Sequence, residues 1–365
     1  MAHIAMDRRR FMSLSAGAVF ATGCIRTMPE HENTTRQNGQ PFIQTRGVVI
    51  LPSDAETFPW PERAKRAGLT TIGLHLDPVL REGFVKSEKG HAFLAACKRL
   101  GLDVEYESHA MNNLLPRDLF AKYPEMFRMN DEGRRVPDAN LCVSSPDGID
   151  RVCENAASYA RRYPPTTHRY FFWTDDGQPM CRCPKCRDLS DSDQALLLEN
   201  EMLKAIRRND AKATLAHLVY HGTLAPPSQV KPLPGIFLEY APIQRNYRQP
   251  IRNREVPEYA RLQDALDANL AVFGADNAQV LEYWLDVSFH SNWKRDALAP
   301  IPWRRNVAED DVSYYAGRGI RHITTFAVWL GGDYVEKFGE PPLDEYGGIL
   351  RAIQKKPDGQ PQRYS

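Results

Sequence analysis

The chain has 365 residues, 42% of them hydrophobic and 25% charged, and its 47 basic and 46 acidic side chains leave a formal net charge of +1. Such a composition belongs to a globular chain, and a net charge this small provides no overall field to attract nucleic acid or a membrane surface. A nucleic-acid partner is therefore excluded as the working expectation.

The N-terminus reads as an address. Arg8-Arg9-Arg10-Phe11-Met12 matches a twin-arginine signal, and residues 11–23 form a mildly apolar run of small side chains, too short to span a bilayer. Export is expected, to the periplasm or the cell surface. Ala21-Thr22-Gly23-Cys24 has the form of a lipobox, in which Cys24 is lipidated and becomes the mature N-terminus; the alternative is an ordinary cleaved signal. Residues 1–24 are thus signal and lipobox, and any membrane contact is expected only through that anchor. Residues 25–41 are polar without an apolar period and read as a flexible tether.

Beyond the tether, roughly 320 residues remain, enough for one large domain or two small ones. Strand-like runs appear in order at 47–51, 70–76, 102–107, 169–173, 214–220, 235–240, 279–285 and 319–327. Helical patterns fall between most of them, at 61–67, 91–100, 148–162, 194–208 and 259–270. Eight strands alternating with helices predict a (β/α)8 TIM barrel over residues 42–353, followed by a polar C-terminal tail over 354–365. A doubly wound sheet is the alternative, disfavoured because Leu51-Pro-Ser-Asp54 follows the first strand where a glycine-rich turn belongs.

Period two along a barrel strand separates interior from helix-facing residues. In strand seven Leu281, Tyr283 and Leu285 suit the helix side, which turns Glu282, Trp284 and Asp286 inward. In strand two Ile72, Leu74 and Leu76 face helices and Gly73, His75 and Asp77 face in. Active sites of this fold lie at the C-terminal strand ends. That rule selects His75, His109, Asp175, Asp176, Tyr220, His221, Glu239, Tyr240, Asp286 and Trp329 as pocket candidates, with Trp173, Glu282 and Trp284 as further substrate-binding candidates. Each has a plainer reading: hydrogen-bonded histidines, core or rim tryptophans (Trp293 and Trp303 included), and Glu282 as partner of an interior Arg or His. Adjacent Asp175 and Asp176 at the end of Arg169-Tyr-Phe-Phe-Trp173 resist it, because neighbouring acids repel and rarely end a strand for stability.

Cleaving a glycosidic bond needs a proton donor at the leaving oxygen and a nucleophile or negative charge at the anomeric carbon. In a 2-acetamido sugar the substrate's own carbonyl oxygen can be that nucleophile, leaving the enzyme to supply one acid and one carboxylate that orients the acetamide nitrogen. Neighbouring acids can divide these tasks when environment separates their protonation. An ordinary two-carboxylate mechanism would instead draw its second group from Glu239, Glu282 or Asp286.

The run Tyr123-Pro-Glu-Met-Phe127, Gly133-Arg-Arg135, Leu141-Cys-Val-Ser-Ser-Pro146, Trp173-Thr-Asp-Asp-Gly177, Cys181-Arg-Cys-Pro-Lys-Cys186, Glu282-Tyr-Trp284 and Tyr314-Tyr-Ala-Gly-Arg-Gly-Ile320 resembles the domain-of-unknown-function family 4838, over roughly residues 45–345. Part of that family is classed as glycoside hydrolase family 163, endo-acting β-N-acetylglucosaminidases. The resemblance implies a barrel, an N-acetylhexosamine-containing glycan as substrate, substrate-assisted retention and no cofactor for catalysis. The acid pair is also similar in position to that of family 20 β-hexosaminidases, which implies Asp175 as the acetamide-orienting residue and Asp176 as the general acid.

If Cys24 is lipidated, Cys97, Cys142, Cys153, Cys181, Cys183 and Cys186 remain. An even number in an oxidising compartment suggests disulfides, whereas Cys181, Cys183 and Cys186, with Cys142 as a fourth ligand, suit a structural zinc. Spacing leaves both open. A glycan-binding lipoprotein on the same scaffold is the alternative to a hydrolase, and Leu74-His75-Leu76-Asp77 is a poor match to a metal-dependent hydrolase.

Overall fold

The computed structural model describes residues 41–355 and 361–363. Within it run β1 (Thr45–Ile50), β2 (Thr71–His75), β3 (Asp103–His109), β4 (Arg169–Trp173), β5 (Thr214–Val219), β6 (Ile236–Tyr240), β7 (Gln279–Glu282) and β8 (His322–Phe326). Each strand pairs in parallel with its sequence neighbours. Val48 of β1 lies opposite Ile72 of β2 on one side and Thr325 of β8 on the other, so the sheet closes as the predicted (β/α)8 barrel. A doubly wound sheet would leave two edges; this one has none. The signal, lipobox and all but the last residue of the tether lie outside the described residues. The expected tail contains structure, since Ile353–Lys355 pairs antiparallel with Pro361–Arg363.

The helices begin where side chains cap them. Ser145 Oγ accepts from Gly148 N at 3.3 Å ahead of Pro146–Arg162, and Ser190 Oγ accepts from Asp193 N at 3.0 Å ahead of Asp191–Arg207. Both start two or three residues before the apolar period does, because the cap and not the buried face sets the first turn. Between β3 and Pro146, the segment 110–145 forms only short helical turns, at Met111–Leu114, Arg117–Ala121 and Pro124–Met126. It packs Leu114, Phe127 and Leu141 into a second apolar cluster with Phe172 and Leu196, against the outer side of β4. No helix among the described residues is long and apolar enough to cross a membrane.

The barrel interior is charged. Arg169 Nε lies 3.6 Å from Glu105, while its guanidinium donates to Gln279 Oε1 at 3.0 Å. Gln279 donates in turn to Glu239 at 3.1 Å. Glu107 stands against Gly73, where an added Cβ would come within 2.6 Å of its Oε1 and force the carboxyl to shift. Burial, then repulsion by Glu239 and Glu105, holds Glu107 well above the usual carboxylate range.

Strand β7 reverses the predicted phase. Leu281 and Tyr283 face the pocket, whereas Glu282 and Trp284 face the helix layer. There, Arg245 Nη1 donates to Glu282 at 2.9 Å and Nη2 to Asp311 at 2.7 Å; Tyr315 also bonds Glu282, and Trp284 Nε1 donates to Asp311 at 3.1 Å. A carboxylate assigned to the interior by the period of the strand is satisfied outside the barrel wall, by an arginine from the loop after β6.

Candidate functional site

A pocket of about 290 Å³ opens at the C-terminal ends of the strands. Its floor is aromatic: Trp173 closes β4, His75 closes β2 with its ring centroid 5.8 Å from the Trp173 ring, and His109 closes β3 with its centroid 5.1 Å away. Asp176, after β4, and Asp286, after β7, both line it, with Tyr220 and Tyr283 on the wall. Trp293 and Trp329 form the rim, Trp293 being 62% exposed. Asn292, Trp293 and Trp329 have φ of 51°, 55° and 65°, and non-glycine residues in this region carry strain that clusters at functional sites.

Seven predicted site residues therefore meet in one pocket: His75, His109, Trp173, Asp176, Tyr220, Asp286 and Trp329. The others lie elsewhere. Asp175 points away from the pocket; it pairs with Arg117 and accepts from Asn140 N at 2.6 Å, while its own N–H donates to Asn140 Oδ1 at 2.8 Å. Adjacent residues at a strand end diverge, so the two acids do not share one cavity. His221 is exposed outside the pocket wall, its Nδ1 3.5 Å from Gln244. Glu239 lies inside the barrel, where Trp173 Nε1 donates to it at 2.7 Å. Tyr240 donates to Leu262 O at 3.0 Å on the helix side, and Glu282 and Trp284 belong to the Arg245 network.

The DUF4838 domain model, a domain of unknown function, matches residues 84–324. The chain belongs to the DUF4838 family. No curated protein matches it. Among solved structures, endo-glycoceramidase II from Rhodococcus sp. is similar over 85% of this chain and 79% of its own, at 11% identity and a TM-score of 0.52. The β-galactosidase from Marinomonas ef1 is similar over 84% of this chain at 11% identity and a TM-score of 0.49, and the chain spans 59% of that protein. The family 5 glycoside hydrolase PbGH5A from Prevotella bryantii B14 is similar over 86% of this chain and 98% of its own, at 10% identity and a TM-score of 0.48. At 11% identity the likeness to the endo-glycoceramidase is one of fold.

In this DUF4838 barrel both pocket histidines are held by backbone carbonyls: His109 Nδ1 lies 2.6 Å from Thr174 O and His75 Nδ1 lies 3.1 Å from Glu107 O. A carbonyl can only accept, so each Nδ1 carries the proton and each Nε2 keeps a lone pair when the ring is neutral. Burial, reinforced by His109, lowers His75 to about 4; burial also lowers His109. His109 turns Nε2 toward Asp176 Oδ1 at 3.7 Å, and Tyr220 hydrogen-bonds the same carboxylate. Asp286 Oδ1 accepts from Ser288 Oγ at 2.6 Å, Ser288 N at 2.9 Å and Phe289 N at 3.2 Å. Among the described residues no protein group bonds its Oδ2. Burial raises Asp286 to about 6 against those three bonds.

Tyr283 and Trp293 are among the lining residues that were not predicted as site residues. Tyr283 is hidden by the inverted phase of β7. Trp293 lies in an irregular stretch where period carries no information, and its one signal is an indole close in sequence to a predicted pocket acid. The four cysteines Cys142, Cys181, Cys183 and Cys186 assemble outside the pocket, all buried, with every Sγ within 4.8 Å of the others.

Proposed function

We propose that the chain is a glycoside hydrolase acting on N-acetylhexosamine-containing glycans, with Asp176 as general acid and Asp286 as the second carboxylate. The observation that carries it is that acids from β4 and β7 line one pocket walled by aromatic side chains, which suits the apolar face of a pyranose. Position divides the two roles. The glycosidic oxygen joins the sugar held in the pocket to the part of the glycan outside, so its proton donor belongs at the mouth, where Asp176 is 65% exposed. Asp286, 5% exposed, is placed for the anomeric side. Burial raises Asp286 to about 6, but a buried acid does not reach an oxygen at the rim.

The preference for a 2-acetamido sugar is supported by the family 163 resemblance. In the substrate-assisted form, Asp176 protonates the leaving oxygen while the acetamide carbonyl attacks the anomeric carbon, and Asp286 Oδ2 accepts the acetamide N–H. Asp175, held by Arg117 and Asn140, keeps the loop in place and takes no part in the chemistry.

Aryl glycosides of graded leaving-group acidity test the assignment. Asp176→Asn should lower kcat by about 10²–10⁴-fold for poor leaving groups and far less for good ones. Asp286→Asn should lower all of them alike, and a thiazoline mimic of the cyclised intermediate should bind better than the plain sugar. The reverse pattern would exchange the roles; glycan binding without turnover in the unmodified chain would make it a glycan-binding protein.

A further inference from the structure

Four sulfurs converge beside the loop that carries the acids. Cys142 Sγ lies 3.7 Å from Cys183 Sγ and 3.9 Å from Cys186 Sγ, all four are buried, and none of the four is paired in a disulfide. A disulfide would bring two sulfurs to about 2.05 Å and leave the other two aside. Four sulfurs each about 2.3 Å from one tetrahedral ion lie about 3.8 Å from one another. The spacing observed is the second kind. A multi-iron cluster, with several bonds between its thiolates, would hold them farther apart than the 4.8 Å limit found here.

The surroundings suit thiolates. Met129 N donates to Cys181 Sγ at 3.3 Å, and Arg135 Nη1 lies 3.6 Å from the same sulfur, adding a positive charge beside a site that four thiolates and a divalent ion leave with two negative charges. The loop itself is clamped. Buried Gln194 accepts from Cys181 N at 3.1 Å and donates to Cys181 O at 3.1 Å and Cys186 O at 3.3 Å, so the C-x-C-x-x-C turn is held without help from a disulfide.

We propose that Cys142, Cys181, Cys183 and Cys186 bind one structural zinc ion that fastens the segment after β3 to the loop after β4. Zinc suits a closed all-sulfur tetrahedron with no position left for substrate, and binding expels the thiol protons. Its mechanical consequence follows from the chain. Cys142 stands two residues after Asn140, which holds Asp175 by two hydrogen bonds, and Cys181 stands five residues after Asp176. The ion therefore clamps both ends of the segment that presents Asp176 to the pocket. The metal site does not depend on the chemistry proposed for the pocket, since its ligands touch none of the pocket residues used there.

Elemental analysis of the purified full-length chain, after exhaustive dialysis, should find one zinc per chain. Cobalt exchanged into the protein should give the intense visible absorption and sulfur-to-metal charge-transfer bands of a tetrahedral tetrathiolate. Cys183→Ser should hold zinc about tenfold or more weakly. On zinc removal from the unmodified chain, hydrogen exchange should rise at residues 126–143 and 174–190 while the rest of the barrel stays protected. One iron per chain would overturn zinc in favour of that metal. A metal-free chain would overturn the site altogether, whether its intact mass shows the hydrogens lost to disulfides or all four thiols react freely. The wild-type metal content decides the matter even if Cys183→Ser fails to fold.

Discussion

At the scale of single residues the proposal rests on Trp293 and Asp286. The Trp293 indole, 62% exposed in a left-handed backbone conformation, meets Phe289 edge-on at 5.7 Å between ring centroids and leaves most of its surface to the pocket mouth, so its main contribution should be to substrate. Trp293→Ala is expected to raise KM about tenfold, roughly 1.4 kcal/mol of binding, while shifting unfolding free energy by less than about 0.5 kcal/mol. A urea titration beside the kinetics would expose the opposite result, a stability loss without a KM change, which would return Trp293 to rim packing. At Asp286 the hydroxyl of Ser288 works against burial. Ser288→Ala should therefore move the acid limb of the kcat/KM profile upward in pH, and an unmoved limb would separate Asp286 from catalysis.

At the level of elements, β7 and its neighbours depend on a buried arginine. Arg245 is fully buried between Glu282 on β7 and Asp311 on the helix Arg305–Gly317, and its removal would strand two carboxylates in the helix layer. Arg245→Met is expected to cost about 3–5 kcal/mol, and adding Glu282→Gln should restore part of it. Denaturant midpoints for the single and double variants measure both; a loss under about 1 kcal/mol would mean that the acids lose their charge instead. The same element shows why period alone misled. Alternation along Leu281-Glu-Tyr-Trp-Leu285 is plain in the sequence, but two phases satisfy it, and only the partner Arg245, 37 residues away, selects the one with Glu282 outside.

Across the whole molecule, the interior carboxylates make stability depend on pH. Burial raises Glu239 from 4.5 to about 8, so between those values the folded chain binds a proton that the unfolded chain has lost, and stability declines as pH rises through the window. His75 and His322, lowered by burial to about 4 and about 3, act in the other direction: the unfolded chain takes up their protons below 6.5, so stability falls as pH drops from there. The two trends oppose each other below pH 6.5. Above it the carboxylate trend stands without them, and unfolding free energy should fall on the order of 1–2 kcal/mol from pH 6.5 to 8. Glu239→Gln should make that slope shallower in thermal or urea titrations, the remainder coming from Glu107, Asp54 and Glu282, which burial also raises, and an unchanged slope would exclude Glu239 as a source.

The alternation of eight apolar runs with helical patterns was enough to read the closed barrel, because strand and helix periods are local and parallel strands with helical crossovers admit few closures. The end-of-strand rule named His75, His109, Asp176, Tyr220, Asp286 and Trp329, which line the pocket, because position along a strand is a local property, but it also named Asp175, His221, Glu239 and Tyr240, which do not. What sequence could not decide is direction in space. Asp175 and Asp176 are neighbours in the chain and part in the fold, because Arg117 and Asn140, brought in by the segment between β3 and Pro146, bind one and leave the other to the pocket. Cys142 joins a cluster 39 residues farther on for the same reason. Which side a side chain faces, and which distant group satisfies its charge, is settled only when the barrel closes and the elements pack.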